Sequence, residues 1–223
     1  MSESATYLIT GAGGGVAGIS PQVVARLRDR SEVVRAMVHR DDSRADALRA
    51  LGADVIAGDL TNPVDVAAAL DGITRMFFNM SVSPDYLEAT AVVCAIAKEL
   101  GNLEVLVNMS QMTVSQMTAT STEESRQHRL HWLAEHVIGW SGLPAVQIRP
   151  TVFLDNPLFT VLAARSIREN GQLALPFGSG RSPRFGCHTT NGLSISPRQG
   201  STRTPNSTSP PWPDCIATTA TTA

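Results

Sequence analysis

The stretch that most constrains the fold lies near the start of the chain: Tyr7-Leu8-Ile9-Thr10-Gly11-Ala12-Gly13-Gly14-Gly15-Val16-Ala17-Gly18. An apolar run of strand type over residues 7–10 stops at a cluster of glycines, and an apolar helical pattern (Val23, Val24, Leu27) follows. Strand, glycine turn and helix, in that order, form the setting in which a glycine fingerprint means dinucleotide binding. Glycines let the backbone turn tightly and approach a pyrophosphate. The helix then offers unpaired N–H groups and the positive end of its dipole. Two registers fit. Gly11, Gly14 and Ala17 match G-x-x-G-x-x-[GA]; Gly13, Gly15 and Gly18 match G-x-G-x-x-G. The first is preferred because Gly11 directly follows the strand; a bare flexible loop is the plainer alternative. Pro21 inside a helix begun near Gly14 would cost about 3 kcal/mol. Ser20-Pro21 reads instead as an N-cap followed by the first helical position. Either the helix kinks, or it starts late after a long glycine loop.

Strand-like and helix-like patterns then alternate to about residue 150. Strands are expected over 32–38, 54–57, 75–80, 103–109 and 145–148. Helices are expected over 43–51, 63–70 (with Asn62 as cap), 86–100 (closed by Gly101) and 125–140 (ending at Gly142). Alternation of this kind predicts an α/β chain with a parallel sheet covered by helices on both faces. Right-handed crossovers make it a Rossmann-like, doubly wound fold. The expected organisation is a cofactor-binding domain over 1–150 and the start of a small substrate-side region over 151–180.

Beyond residue 180 the composition changes. Residues 181–223 are rich in Ser, Thr, Pro, Gly and Arg, with Asp214 the sole acid and no apolar period. Such a segment buries too little apolar surface to offset its ordering entropy. Two readings stand: a disordered tail, or a truncated or aberrant C-terminal part left by a shifted reading frame. Elsewhere the 223 residues carry 43% hydrophobic side chains, enough for a real core. A net charge of −2 gives no reason to expect nucleic acid or an acidic membrane as partner. No apolar run reaches the ~18 residues that span a bilayer, and no signal pattern opens the chain. Cys94, Cys187 and Cys215 have neither metal spacing nor a disulfide framework. A cytoplasmic location is therefore expected, with Cys94 a buried thiol.

Several residues carry candidate chemistry. NAD-binding folds place Asp or Glu at the end of the second strand, about 20 residues after the glycines. Here that strand ends Val38-His39-Arg40, with Arg44 nearby. A guanidinium suits phosphate, so the reading is a preference for the 2′-phosphate of NADP(H), with NAD(H) as second choice. Asp41 and Asp42 leave open that Arg40 is one charge of a solvated loop. Gly58-Asp59-Leu60 follows the third strand, where a carboxylate accepts from an adenine amino group or simply makes a turn. Carbonyl reduction needs a proton donor, yet neither Tyr7 nor Tyr86 lies on the helix after the fifth strand. That helix carries His131, which binds the nicotinamide ribose, donates a proton, or is structural. Ser110, at the end of the fifth strand, is placed to hydrogen-bond substrate. His128, His131 and Glu135 share a helix face, but zinc motifs pair histidines at i, i+4, and no remote ligand stands out; no metal is assigned. A Walker loop is excluded, because no Lys follows the glycines. Met80, Met109, Met112 and Met117 gather near the carboxyl ends of strands four and five, suiting a flat apolar substrate such as a quinone or plain packing.

Together these residues resemble the NmrA-like family of atypical short-chain dehydrogenases. The resemblance spans roughly 5–180. It rests on Thr10-Gly11-Ala12-Gly13-Gly14 with Val16-Ala17, Val38-His39-Arg40, Gly58-Asp59-Leu60 and Leu106-Val107-Asn108-Met109-Ser110. It continues through His131-x-x-x-Glu135 and Ser141-Gly142-Leu143-Pro144 running into Ile148-Arg149-Pro150-Thr151-x-Phe153. The resemblance implies an NAD(P)H-binding domain with a small C-terminal substrate domain. Gly11, Gly14, Val16 and Ala17 would lie at the pyrophosphate, with Thr10 also among the cofactor-binding residues, Arg40 at the 2′-phosphate, and Asp59 and Leu60 beside adenine. Asn79, Ser81 and Ser110 would line the nicotinamide side. It implies an oxidoreductase passing hydride to a small apolar acceptor such as a quinone. The alternative is a non-enzymatic NAD(P)-sensing regulator with a protein partner. Histidine in place of lysine at 131, and the unfamiliar stretch after Gly180, are the two departures from the family.

Overall fold

The computed structural model describes residues 6–14, 18–122, 124–151 and 157–172. In chain order the elements are β1 (Thr6–Ile9), α1 (Ile19–Asp29), β2 (Val33–Val38), α2 (Ser43–Ala50), β3 (Asp54–Ala57), α3 (Pro63–Leu70) and β4 (Arg75–Phe78). There follow α4 (Tyr86–Leu100), β5 (Val105–Met109), a 3₁₀ turn (Met112–Gln116), α5 (Arg126–Ser141), β6 (Ala145–Ile148) and α6 (Pro157–Asn170). The six strands form one parallel sheet in the order β3-β2-β1-β4-β5-β6. The Rossmann-like expectation is borne out. The expected tail over 181–223 lies outside the described residues.

Side chains alternate across the sheet and feed two cores. Leu8, Met76, Phe78 and Leu106 face a cluster with Val66 and Leu70 of α3, Val93 and Cys94 of α4, and Ile138 of α5. Ile9, Phe77, Ala36 and Val38 face the other side, against Val24 of α1 and Ala45 and Leu48 of α2. The period of two in the strands thus fixes which helices cover which face. Cys94 is buried as expected, and burial pushes its thiol up to about 11.

Local signals explain most element ends. Asn62 accepts from the Val64 N–H with Pro63 at the first helical position, Asp42 accepts from the Arg44 N–H, and Ser125 accepts from the His128 N–H. These side chains occupy N–H groups that a helix start leaves unpaired. α4 and α5 close on Gly101 and Gly142, with φ of 70° and 68°.

The start of α1 corrects one expectation. The helix begins late, at Ile19, so Pro21 lies in the first turn, where its missing N–H costs nothing. Ser20 is not the N-cap. It is fully buried; its hydroxyl donates to the Thr10 carbonyl at 2.8 Å and accepts from Asn79 Nδ2 at 2.9 Å. Asn79 also donates its backbone N–H to Thr10 Oγ1, which donates in turn to the Asn79 carbonyl, both at 2.9 Å. β4 therefore ends at Phe78 rather than residue 80, because Asn79 leaves the ladder to join this junction. α6 was not expected from the sequence; Arg165 and Glu169 pair on its exposed face at i, i+4.

Replacing Ser20 with Ala strips Asn79 Nδ2 of its acceptor while leaving no helix cap to lose. The expected cost is about 1–3 kcal/mol in urea unfolding. A change under about 0.5 kcal/mol would show that the junction does not hold β1, β4 and α1 together.

Candidate functional site

β1 is flanked by β2 on one side and β4 on the other, so the chain's winding reverses between β1 and β4. Open parallel sheets bind ligands above the carboxyl ends of the strands at such a point. A cleft of about 780 Å³ opens there, within the size range of cofactor sites.

The glycine turn lines the cleft. The N–H groups of Gly11, Ala12, Gly13 and Gly14 donate to no described residue. Gly18, at φ 51°, precedes α1 and brings no side chain to cap it, and the first turn holds no acid. Unpaired amides and a bare, positive helix end make a cradle for a diphosphate. Gly11 has φ of 65°, and a Cβ there would stand 2.5 Å from the Asn79 carbonyl oxygen. Gly14, at φ 83°, needs glycine for its backbone alone, since a Cβ would meet nothing. Left-handed backbone occurs at Gly11 and Gly14 of the preferred register and at Gly18 of the other. Val16 and Ala17 lie outside the described residues. Thr10 needs a correction: it is fully buried, its hydroxyl is held by Asn79, and it does not line the cleft. It supports the turn from beneath.

Arg40 lines the cleft at the end of β2 and makes no ion pair with a described residue. The two aspartates that follow it are engaged elsewhere. Asp41 pairs with Arg49 at 2.7 Å, and Asp42 pairs with Arg44. Arg44 beside it holds the Asp42 carboxyl down at about 2, and Arg49 holds Asp41 below the usual range. Asp59 and Leu60 also line the cleft. Asp59 Oδ1 accepts from the Thr61 N–H and hydroxyl, which lowers the carboxyl's pKa; Oδ2 has no partner among the described residues. Asp59 therefore makes the turn and keeps one oxygen spare.

Ser81, Ser110 and His131 also line the cleft, as does Asn79 beside Gly11. Ser110 is 4% exposed, and its hydroxyl has no hydrogen-bond partner among the described residues. His131 Nδ1 lies 3.2 Å from the Tyr86 hydroxyl, with the two rings edge to face at 5.1 Å. Burial pushes the imidazole down to about 4, against the upward pull of Glu135 one turn along α5. Glu135 is itself buried and held by Arg149, with Nε to Oε1 at 3.0 Å. Of the four methionines singled out, Met80 and Met109 line the cleft; Met117 is buried near Val114, and Met112 is 40% exposed.

Sequence reasoning missed two residues. Ser20 carried a signal, a serine before proline at a helix start, that pointed to the wrong partner. Tyr86 was set aside for lying on the wrong helix. Only tertiary packing brings the first residue of α4 onto the His131 ring.

The profile of a family described as NAD(P)H-binding matches residues 11–172. An NAD(P)H azoreductase from Xenophilus azovorans is 29% identical over 170 residues, covering 75% of this chain and 55% of that protein. The chain thus spans about half the length of this curated relative. Among solved structures, the anaerobillin reductase ChuY from Escherichia coli O157:H7 superposes with a TM-score of 0.55 at 21% identity, covering 66% of this chain and 72% of that one. The NADPH-dependent quinone oxidoreductase QOR2 from Escherichia coli, complexed with NADPH, gives 0.59 at 20% identity, covering 73% and 54%. These structural likenesses carry the fold, and the profile carries the family. The match spans well over half of the chain, and the chain belongs to this NAD(P)H-binding family.

Proposed function

We propose that the chain is an NADPH-dependent reductase of a small apolar acceptor, a quinone or an azo compound. The observation that carries this reading is the cleft itself. Around the ends of β1 and β2 it offers amides at 11–14 and an Arg40 that are unpaired among the described residues; at the end of β5 and on α5 it offers two hydrogen-bonding groups, Ser110 and His131, without a charge on either. The names of the relatives, an azoreductase and a quinone oxidoreductase among them, support the choice of acceptor.

In this reading the glycine-turn amides and the start of α1 hold the pyrophosphate. Arg40 takes the 2′-phosphate, and Asp59 Oδ2 with Leu60 borders adenine. Bound NADPH supplies hydride to the acceptor. Met80 and Met109 give the cleft an apolar, polarisable wall. His131 is neutral at physiological pH, so it acts as a hydrogen-bonding group rather than as a general acid, and water supplies the proton. Quinone reduction tolerates this, because the reduced product's oxygens are far weaker bases than a simple alkoxide. Residues 151–180 begin the substrate side. Among the described residues no helix is long and apolar enough to cross a membrane, and the reading places the chain in the cytoplasm.

Oxidation of NADPH against a panel of quinones and azo dyes tests this directly. Turnover on one class is expected. Tight cofactor binding without turnover on any acceptor would favour the sensing role instead. Arg40→Ala should weaken NADPH at least tenfold, about 1.4 kcal/mol, and NADH less than twofold. Equal losses for both cofactors would contradict the 2′-phosphate assignment.

A pH dependence also follows. Unfolded, His131 takes up its proton near 6.5; folded, burial delays this to about 4. Between those values the unfolded chain binds more protons. This contribution to stability is complete above pH 6.5 and is lost as pH falls towards 4. Urea midpoints measured from pH 4 to 7 should rise more steeply for the wild type than for His131→Gln. Parallel curves would contradict the buried, neutral ring.

A further inference from the structure

The Tyr86–His131 contact joins two helices at the edge of the cleft. Tyr86 opens α4 with its side chain 1% exposed, its ring 6.2 Å from that of Phe78. Its hydroxyl meets one polar atom among the described residues, His131 Nδ1. A neutral imidazole carries its proton on one nitrogen, and the partner of the other nitrogen decides which. The two directions of this bond are not equivalent. If Nδ1–H donated to the phenol, the phenolic O–H would be a buried donor with no acceptor. If the phenol donates to Nδ1, the phenolic O–H is satisfied, and the one remaining ring donor, Nε2–H, belongs to a residue that lines the cleft.

We propose that Tyr86 is a positioning residue for His131: its O–H donates to Nδ1 and locks the ring in the tautomer that presents an Nε2–H donor, and no acceptor, to the cleft. The charged and titratable groups facing the pair are consistent with this. Glu135 and His128 lie on α5 with His131, and Glu135 is already committed to Arg149 from the end of β6. None of them is hydrogen-bonded to Nδ1. Burial and the nearby Glu135 hold the Tyr86 phenol far above its usual pKa, so it stays protonated and able to donate. The ring is then a fixed, uncharged donor on the cleft that Ser110 also lines, whose hydroxyl has no partner among the described residues. Together they suit an acceptor with a carbonyl oxygen or an azo nitrogen, since both are hydrogen-bond acceptors. The Nε2–H discriminates against one whose reacting end is itself an N–H or O–H donor, whereas the Ser110 hydroxyl can either donate or accept. This specificity rests on the reductase reading; the tautomer does not.

The test is a long-range ¹H–¹⁵N spectrum of the histidine rings in the cofactor-free 223-residue chain at pH 7, with His131→Gln to assign the signals. The expected result is a pyridine-type Nδ1 and a pyrrole-type Nε2 for His131 in the wild type. In Tyr86→Phe the two nitrogens should move toward averaged shifts as the second tautomer becomes populated. A pyrrole-type Nδ1 in the wild type, or an unchanged ring in Tyr86→Phe, overturns the proposal. Should Tyr86→Phe not fold, the wild-type spectrum decides alone, pyridine-type Nδ1 supporting the proposal and pyrrole-type Nδ1 overturning it. With an acceptor in hand, Tyr86→Phe should lower kcat about tenfold with the NADPH Kd unchanged; an unchanged kcat overturns the positioning role. A wild type with the expected tautomer and no turnover would remove the reductase reading and leave the tautomer standing.

Discussion

The junction of Thr10, Asn79 and Ser20 is the interaction on which the site depends. Four hydrogen bonds of 2.8–2.9 Å tie the ends of β1 and β4 to the first turn of α1. All are made by groups that a sheet or helix would otherwise use for itself, or leave to water. Their effect is to spend side-chain donors and acceptors beneath the glycine turn, so that the turn's own amides are spent on nothing. Gly11 is part of the same bargain: with a side chain there, the Asn79 carbonyl would have to move. The strength of the junction and the openness of the cradle are thus one property seen from two sides.

Unsatisfied polar groups are costly, about 1–3 kcal/mol each when buried. Three of the buried side-chain atoms without partners, Asn108 Oδ1, Ser110 Oγ and Gln111 Nε2, fall within four residues at the end of β5. Of these, Ser110 lines the cleft, as do Gly11, Gly13 and Gly14 of the glycine turn. A chain folds around such groups when a ligand completes them, which is the ordinary condition of a binding site. The charges nearby are arranged in the same sense. Asp41 and Asp42 could have neutralised Arg40, but Arg49 and Arg44 hold them on the α2 side of the loop.

Much of this was legible in the sequence. β3, α3, α4 and β6 have the expected bounds, because their signals are local: Asn62 before Pro63, Gly101 after Leu100, short β-branched runs between turns. Most residues assigned to the cleft were found there, since a glycine turn and the loops at strand ends are placed by topology alone. What escaped was whatever depends on a partner far along the chain. Ser20 reads as a cap until Asn79, 59 residues away, claims it. Thr10 reads as a ligand contact until its hydroxyl turns inward. Tyr86 lies on the wrong helix for a proton donor, until α5 brings His131 to it, 45 residues on.

The central claim is that the backbone N–H groups at 11–14 are kept free for a diphosphate. Backbone amide signals followed by NMR during NADPH titration test it most directly. Saturable binding should shift the amide protons of Gly11, Gly13 and Gly14 strongly and slow their exchange with solvent. Saturable binding that leaves those three signals and their exchange rates untouched would mean that the cofactor sits elsewhere, and that the open turn has another cause.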